Sequence, residues 1–215
     1  MYDIVLFDLD GTLIDSGLGI TNSVAYSLEK YGIVVSDKTE LYKFIGPPLH
    51  ESLQRYYDFS EEKAKEAVEV YREYYRKKGI FENQVYEGIE DLLKRLNAAE
   101  RTLLVATSKP EVFARQILQH LGLADYFSGI FGANLDGSRT KKDEVISYAL
   151  AAQNVTDFSR AVMVGDREYD IFGAKKVGID GIGVLFGYGG YEELHSAGAD
   201  AIAKDTEEVF SFIMR

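Results

Sequence analysis

Five short apolar runs punctuate the chain, and the first of them covers residues 4–7. The runs are continuously hydrophobic and do not alternate with polar residues, which is the pattern of strands buried on both faces of a parallel sheet. The other four runs cover residues 102–106, 129–131, 161–164 and 181–185. The pattern therefore predicts five buried strands in one sheet.

Helical patterns lie between these runs. Apolar residues three and four positions apart form one face in 89–96, in 112–121 and in 145–150, as expected of helices that pack on a core. The second pattern begins near Pro110 and ends at Gly122. Strands that alternate with such helices are typical of right-handed βαβ units. The predicted fold class is α/β, with a doubly wound, mainly parallel, Rossmann-like sheet.

Residues 16–85 interrupt this alternation, because they carry helical patterns and no convincing strand. We predict a Rossmann-like catalytic core formed by residues 1–15 and 86–215, with an all-helical cap of residues 16–85 inserted after the first strand. The cap is expected over the carboxyl edge of the sheet, since open α/β sheets bind their ligands at that edge.

The clearest helix of the insertion follows Ser60, which is a good N-cap residue. Lys77 and Lys78 are expected in its last turn, where they suit the helix dipole, and Gly79 is expected to end it. Its apolar face includes Tyr71, Tyr74 and Tyr75. We interpret these tyrosines as packing within the cap, and a stacking platform for a base and a dimer contact are the alternatives. The sequence therefore leaves monomer and homodimer open.

Composition narrows the classes of function. Of the 215 residues, 46% are hydrophobic, which suffices for one domain with a sizeable insertion. The net charge is −11 and no long basic run occurs, which argues against a nucleic-acid polymer as partner. The absence of cysteine excludes disulfides and cysteine-based zinc sites. Asp8 and Asp10 interrupt the N-terminal apolar run, so we expect no signal peptide and no membrane partner, and a cytoplasmic location.

The first apolar run is followed at once by two carboxylates, Asp8 and Asp10. Residues two apart in an extended chain face the same way, so both side chains are expected in one site. Like charges at that distance repel each other, and a divalent cation that prefers oxygen ligands, such as Mg²⁺, would offset the repulsion. An Asp-Gly turn explains the same residues without any chemistry.

The fourth apolar run repeats this arrangement. Asp166 lies just past the run, and Asp170 follows four residues later, on the same face if a helix begins there. Glu168 points in a different helical direction and is the weaker candidate for a metal ligand. A helix N-cap at Asp166 explains the segment nearly as well. Two strand ends with paired acids together nevertheless favour a metal site.

Groups that can bind phosphate follow other runs. Thr107, with Ser108 beside it, ends the second run and can donate its hydroxyl, and N–H groups at the next helix start can bind an anion. An ordinary helix cap is the alternative. Lys141 and Lys142 open another helix, where lysine opposes the dipole. One of the two ammonium groups is expected to balance the negative charge of the carboxylates, and the other is expected to be solvated.

Together these segments resemble the four ordered motifs of the haloacid dehalogenase superfamily, and the resemblance covers essentially the whole chain. The motifs are Asp8-Leu9-Asp10-Gly11-Thr12-Leu13, Thr107, Lys142 and Gly165-Asp166-x-x-x-Asp170. Lys142 is chosen over Lys141 for its spacing to Val145. The members most similar to this chain are small phosphatases with a helical cap, of the phosphoglycolate phosphatase and 5′-nucleotidase-like kind. Residues 15–20, 44–49 and Gly187-Tyr188-Gly189 carry this narrower match.

The resemblance implies a Mg²⁺-dependent phosphomonoester hydrolase. Asp8 would attack phosphorus and form an aspartyl-phosphate, and Asp10 would act as general acid and then as general base. Mg²⁺ would be held by Asp8, the backbone carbonyl of Asp10, Asp166 and, through water, Asp170. The phosphate would be held by Thr107, Ser108, Lys142 and Gly11.

The substrate is expected to be a small phosphorylated metabolite. Phe44, Gly46 and Pro47 of the cap are the candidates to lie near it, and a plain stiff turn is the alternative explanation of the Gly-Pro-Pro segment. A nucleoside monophosphate is the first choice of substrate and phosphoglycolate the second.

Other activities of the same scaffold fit less well. A dehalogenase has no use for Asp10, and a hexose-phosphate mutase would carry histidine where this chain has Ile20. A non-enzymatic, phosphate-accepting switch also uses clustered aspartates, but it has no comparable cap and no purpose for Asp10. A catalytically idle binding module is the weakest alternative, since all the chemical groups are present.

Overall fold

The computed structural model describes all 215 residues. The chain divides into two units, one formed by residues 1–14 and 85–215 and the other by residues 15–84. Each boundary lies one residue before the predicted one. No helix is both long and apolar enough to cross a membrane.

Eight strands are present: β1 Ile4–Phe7, β2 Ile14–Asp15, β3 Gln84–Val85, β4 Thr102–Pro110, β5 Gly129–Ala133, β6 Ala161–Gly165, β7 Asp180–Val184 and β8 Ala201–Ala203. Six of them form one sheet in the order β5-β4-β1-β6-β7-β8, and every pairing in it is parallel. The short strands β2 and β3 pair separately, where the chain passes between the two units.

Nine α-helices complete the chain: α1 Gly17–Glu29, α2 Leu49–Tyr57, α3 Glu61–Tyr75, α4 Ile89–Ala98, α5 Glu111–His120, α6 Lys142–Ala152, α7 Glu168–Val177, α8 Tyr191–Ser196 and α9 Thr206–Met214. Because β1, β4 and β6 are buried on both faces, their apolar runs need no alternation. Leu6, Leu104 and Met163 of these strands form one core with Val145 and Ile146 of α6. The predicted α/β class with a parallel Rossmann-like sheet is confirmed.

The sheet has one strand more than the five apolar runs predicted. The additional strand, β8, pairs with β7 at the edge of the sheet. It is only three residues long, and two of the three are half-buried. Its apolar run, Ala201-Ile202-Ala203, is too short to predict a strand, so β8 is identified only by its pairing with β7.

The unit of residues 15–84 contains α1, α2 and α3, with 3₁₀ turns at Lys38–Phe44 and Gly79–Phe81. The predicted cap of α3 is present, since the Ser60 hydroxyl accepts a hydrogen bond from the Lys63 N–H at 3.2 Å. The Ser27 hydroxyl of α1 donates to the Ala67 carbonyl of α3 at 2.7 Å and ties the two helices together.

The predicted end of α3 is wrong. The helix stops at Tyr75, so Lys77 and Lys78 lie in the turn that follows, and Gly79 begins the 3₁₀ turn. Gly79 does not act as a left-handed helix terminator, because its φ is not positive. Glycine at this position instead allows the backbone of residue 79 to pack closely against α1, since a Cβ there would lie 2.6 Å from the Ser23 hydroxyl oxygen of that helix.

Candidate active site

The carboxyl end of β1 delivers the first carboxylates. Phe7 is level with Val105 of β4 and with Val164 of β6, so the three strands end side by side. The Asp8 N–H continues the ladder by donating to the Val164 carbonyl at 2.9 Å. Asp8 and Asp10, directly beyond β1, are both buried.

Three carboxylates meet at this edge. One oxygen each from Asp8, Asp166 and Asp170 lies within 4.8 Å of the others, and all three residues are buried. Asp166 follows β6 directly, and Asp170 lies in the first turn of α7. The Asp170 side chain also accepts a hydrogen bond from the Arg167 N–H at 3.1 Å, which fixes the start of that helix. Arg167, and not Asp166, occupies the N-cap position.

Lys142 is the cation of this cluster. Its Nζ lies 2.9 Å from Asp8 Oδ1 and 2.7 Å from Asp170 Oδ1, and it donates to the Ala106 carbonyl at 3.2 Å. Lys141 is exposed at the N-cap of α6. One ammonium therefore pairs with two of the three buried carboxylates, and the cluster keeps an excess of negative charge when all groups are ionised.

The buried charges change the acidity of their neighbours. Burial raises the pKa of the Asp166 carboxyl well above its usual range, and the charges of Asp170 and Asp8 raise it further. Burial also raises the pKa of Asp8, against the attraction of Lys142. Burial alone would lower the pKa of Lys142, but the charges of Asp170 and Asp8 outweigh it and raise the pKa. The site thus holds its lysine charged and opposes the full ionisation of its acids.

The donor set fits a hard divalent cation. Asp8 Oδ1 and Asp170 Oδ1 are buried and share the Lys142 ammonium as their cation, at 2.9 and 2.7 Å. Buried carboxylates are costly without compensating positive charge, and this one ammonium cannot neutralise the three that meet here. Carboxylate oxygens are the ligands that Mg²⁺ prefers. Asp8, Asp166 and Asp170 could therefore hold such an ion.

Asp10 lies outside the three-carboxylate cluster and has a cation of its own. Its Oδ2 is 2.7 Å from Lys109 Nζ, and both side chains are nearly buried. Its other oxygen is buried without a hydrogen-bond partner. Lys109 was not predicted as a site residue. The available signal was its closeness in sequence to Thr107, which was predicted at the same strand end.

Thr107 and Ser108 lie within β4, which continues to Pro110 past an irregularity in its pairing with β5. Thr107 is buried, and its hydroxyl accepts a hydrogen bond from the Lys109 N–H at 3.3 Å. The next helix begins only at Glu111, whose carboxylate accepts a hydrogen bond from the Gly132 N–H. The N–H groups nearest to Thr107 therefore belong to the irregular end of a strand.

Gly11 has a left-handed backbone, with φ of 85°. A Cβ at this position would lie 2.2 Å from Asp166 Oδ2. The residue therefore allows the turn after Asp10 to pass directly beneath the Asp166 carboxylate. Its predicted contact with phosphate stays a prediction.

The three predicted substrate residues of the helical unit have different surroundings. Phe44 is buried, with its ring 5.7 Å from that of Tyr56 and 5.9 Å from that of Tyr57. Gly46 has a left-handed backbone, as a turn residue does, and Pro47 is half-buried. The Phe44 side chain thus serves the packing of the helical unit, and the segment after it is a turn.

Comparison with known proteins identifies the family of the chain. A family model described as haloacid dehalogenase-like hydrolase matches residues 5–184. A protein of Pseudomonas aeruginosa named 5′-nucleotidase is 45% identical over 195 residues, which are 91% of this chain and 88% of that protein. Proteins named phosphoglycolate phosphatase are more distant, one from Colwellia psychrerythraea being 27% identical over 91% of this chain and 90% of its own length.

A protein of Mycobacterium tuberculosis named tyrosine-protein kinase PtkA is 43% identical over 86% of this chain, which spans only 63% of that protein. Among solved structures, a predicted phosphatase from Clostridium acetobutylicum is 51% identical, with a TM-score of 0.97 over 100% of this chain and 99% of that one. The family match covers most of the chain and includes all four motifs. The protein therefore belongs to the haloacid dehalogenase-like hydrolase family, as its motifs predicted.

Proposed function

We propose that this protein is a Mg²⁺-dependent phosphomonoester hydrolase that works through an aspartyl-phosphate on Asp8. The observation that carries the proposal is the buried group of Asp8, Asp166 and Asp170 with one ammonium, that of Lys142, among them. A cluster with excess negative charge suits a site that receives a divalent cation, and the two together suit a phosphate dianion.

Asp8 is suited to be the nucleophile. It lies at the end of the central strand, and Lys142 opposes the effect of burial by favouring the carboxylate form. In the first step an Asp8 oxygen forms a bond to phosphorus as the bond to the leaving alcohol oxygen breaks. In the second step water attacks phosphorus, the bond to Asp8 breaks and inorganic phosphate is released.

Asp10 is suited to move the proton. In the first step it would give a proton to the leaving alcohol, and in the second step it would take one from the attacking water. Lys109 holds one Asp10 oxygen at 2.7 Å, and the other oxygen is left for this exchange. Lys109 is therefore proposed as the residue that orients Asp10.

Mg²⁺ would be held by Asp8, Asp166, Asp170 and the backbone carbonyl of Asp10. When bound, it would supply positive charge that screens the carboxylates and stabilises the transferring phosphoryl group. Thr107 and Lys142 would bind the remaining phosphate oxygens, because a hydroxyl and an ammonium directed at developing charge lower the barrier.

A nucleoside monophosphate is the proposed substrate. The support is the 45% identity with a relative named 5′-nucleotidase, compared with 27% for a relative named phosphoglycolate phosphatase. The relative named as a kinase is longer than this chain, which covers 63% of it, and its activity is not carried over.

Asp8→Asn is expected to reduce hydrolysis of p-nitrophenyl phosphate in the presence of Mg²⁺ by at least about 10³-fold, because the amide cannot attack phosphorus. The released p-nitrophenolate is followed by its absorbance. Glu168→Gln is the control, because Glu168 is a half-buried acid beside the metal ligands with no assigned role, and it is expected to keep the wild-type rate. Equal rates for Asp8→Asn and wild type would exclude Asp8 as nucleophile.

Asp10→Asn is expected to separate the two chemical steps. p-Nitrophenolate leaves without a proton, so the variant should release about one equivalent per active site in a burst, followed by turnover at least about 10²-fold slower than wild type. A nucleoside monophosphate, whose alkoxide needs the proton, should give no burst. Rapid-mixing kinetics measure both. Steady turnover at the wild-type rate would remove Asp10 from the mechanism.

Asp166→Asn is expected to stabilise the metal-free protein at pH 7, because it removes a buried negative charge. The raised pKa of Asp166 means that the folded state binds this proton more tightly than the unfolded chain does. The ionised form therefore costs stability as pH rises above about 4, and the advantage of Asn should shrink as pH falls towards that value.

Urea unfolding in chelator at two pH values measures the Asp166→Asn effect, with Glu168→Gln as the matched acid-to-amide control. The explanation through buried charge fails if Asp166→Asn is equally or less stable than wild type at both pH values.

The substrate preference is tested by kcat/KM of the wild type for nucleoside monophosphates, sugar phosphates and phosphoglycolate with Mg²⁺. The values for at least one nucleoside monophosphate are expected to exceed that for phosphoglycolate by about 10-fold or more. A preparation of Asp8→Asn controls for contaminating phosphatases. A higher value for phosphoglycolate would reverse the order of the two substrates, and a flat profile would indicate broad activity.

A further inference from the structure

The loop between β7 and α8 contains Gly187-Tyr188-Gly189, a segment that the proposed mechanism has not used. This segment lies against the loop that carries Asp166. The Tyr188 N–H donates a hydrogen bond to Asp166 Oδ2 at 2.8 Å. The other oxygen of the same carboxylate accepts from the Thr12 hydroxyl at 3.3 Å. Both oxygens of a fully buried acid are thus held by groups from two separate loops.

Steric overlap excludes a side chain at either glycine of the segment. A Cβ on Gly187 would lie 2.2 Å from the Gly11 carbonyl oxygen and 2.4 Å from Asp166 Cβ. A Cβ on Gly189 would lie 1.9 Å from the Asp166 carbonyl oxygen. Real Cβ atoms essentially never come within 3.0 Å of such atoms. The nearest atom to each of the two Cβ positions is a backbone carbonyl oxygen, which cannot swing aside. Neither glycine has a positive φ, so the backbone conformation itself would accept alanine.

The neighbouring glycine of the same loop provides the contrast. Gly190 is exposed, and a Cβ built on it would have no atom within 4 Å. Its φ of −100° also suits any residue. Within this loop, the close fit against Asp166 therefore ends at Gly189.

Asp166 needs such a constraint because its neighbours repel it. The charges of Asp170 and Asp8 act on its carboxylate, and the Tyr188 N–H acts in the opposite direction. Without a fixed donor, a carboxylate in this position would lower its energy by rotating away from the cluster or by binding a proton. The Tyr188 N–H, fixed on a closely packed loop, favours the ionised form of the Asp166 carboxylate and also fixes the orientation of its side chain.

We propose that Gly187-Tyr188-Gly189 is a backbone clamp that orients Asp166 for metal binding. The inference rests on the proposed function, because it takes Asp166 to be a metal ligand. Tyr188 acts through its main-chain N–H, and Gly187 and Gly189 keep that N–H at bonding distance. All three are positioning residues. Groups that orient metal ligands typically contribute about 10–100-fold to metal affinity.

Mg²⁺ titration by calorimetry, without substrate, tests the clamp. Gly187→Ala and Gly189→Ala are each expected to weaken Mg²⁺ binding by about 10-fold or more relative to wild type. Gly190→Ala is the matched control and is expected to bind as wild type does. Far-UV circular dichroism and thermal unfolding in chelator establish that the variants compared are folded.

The outcomes separate the clamp from the proposed function. Wild type that binds no Mg²⁺ would overturn the metal-dependent mechanism, and the clamp with it. Wild type that binds Mg²⁺, with equal affinity in folded Gly187→Ala and Gly189→Ala, would overturn the clamp alone.

A second measurement does not depend on how the glycine variants fold. Hydrogen exchange of the Tyr188 amide is compared between wild type and Asp166→Ala, which lacks the acceptor. The clamp predicts exchange at least about 10-fold faster in Asp166→Ala, because the amide loses its buried partner. An unchanged rate would show that the hydrogen bond does not hold the loop to Asp166, and would overturn the proposal.

Discussion

The contact on which the site depends is the buried ammonium of Lys142 between Asp8 and Asp170, at 2.9 and 2.7 Å. A buried charge without a counter-ion is far more costly than a buried pair, so neither the lysine nor the acids could remain ionised here alone. The lysine also donates to the Ala106 carbonyl of β4. One side chain at the first position of α6 thus connects the residue after β1, the interior of β4 and the first turn of α7.

The register of the sheet makes this contact possible. Phe7 is level with both Val105 and Val164, so the residues beyond these strands emerge at one height. A shift of one residue in either pairing would turn the side chains to the opposite face. The apolar runs of β1 and β6 are buried side by side, and each strand ends directly before its aspartate. The hydrophobic effect that folds the core therefore also brings Asp8 and Asp166 together.

Local sequence patterns predicted the features of the fold that depend on local interactions. The central strands, the Ser60 cap and the carboxylates at strand ends follow from apolar runs and nearest-neighbour geometry. Contacts between distant parts of the chain left weaker signals. Lys109 of β4 forms an ion pair with Asp10, which lies beyond the neighbouring strand β1. The strand β8 is defined only by its pairing with β7. Residue 79 must be small because α1 passes beside it. No property of these segments alone specifies their partners.

Asp8 and Asp10 are only two residues apart, but their carboxylates have different surroundings. Asp8 shares the Lys142 ammonium with Asp170 and belongs to the group that could hold a cation, whereas Asp10 is paired with Lys109 outside that group. A nucleophile and a proton carrier need this division, since a cation bound by both side chains would take from Asp10 the lone pairs on which its proton transfer depends. The turn at Gly11 supports the separation, because it directs the chain away from the strand immediately after Asp10 and under Asp166. A pattern that looks like one acidic pair in the sequence is thus, in the fold, two carboxylates that have different cations.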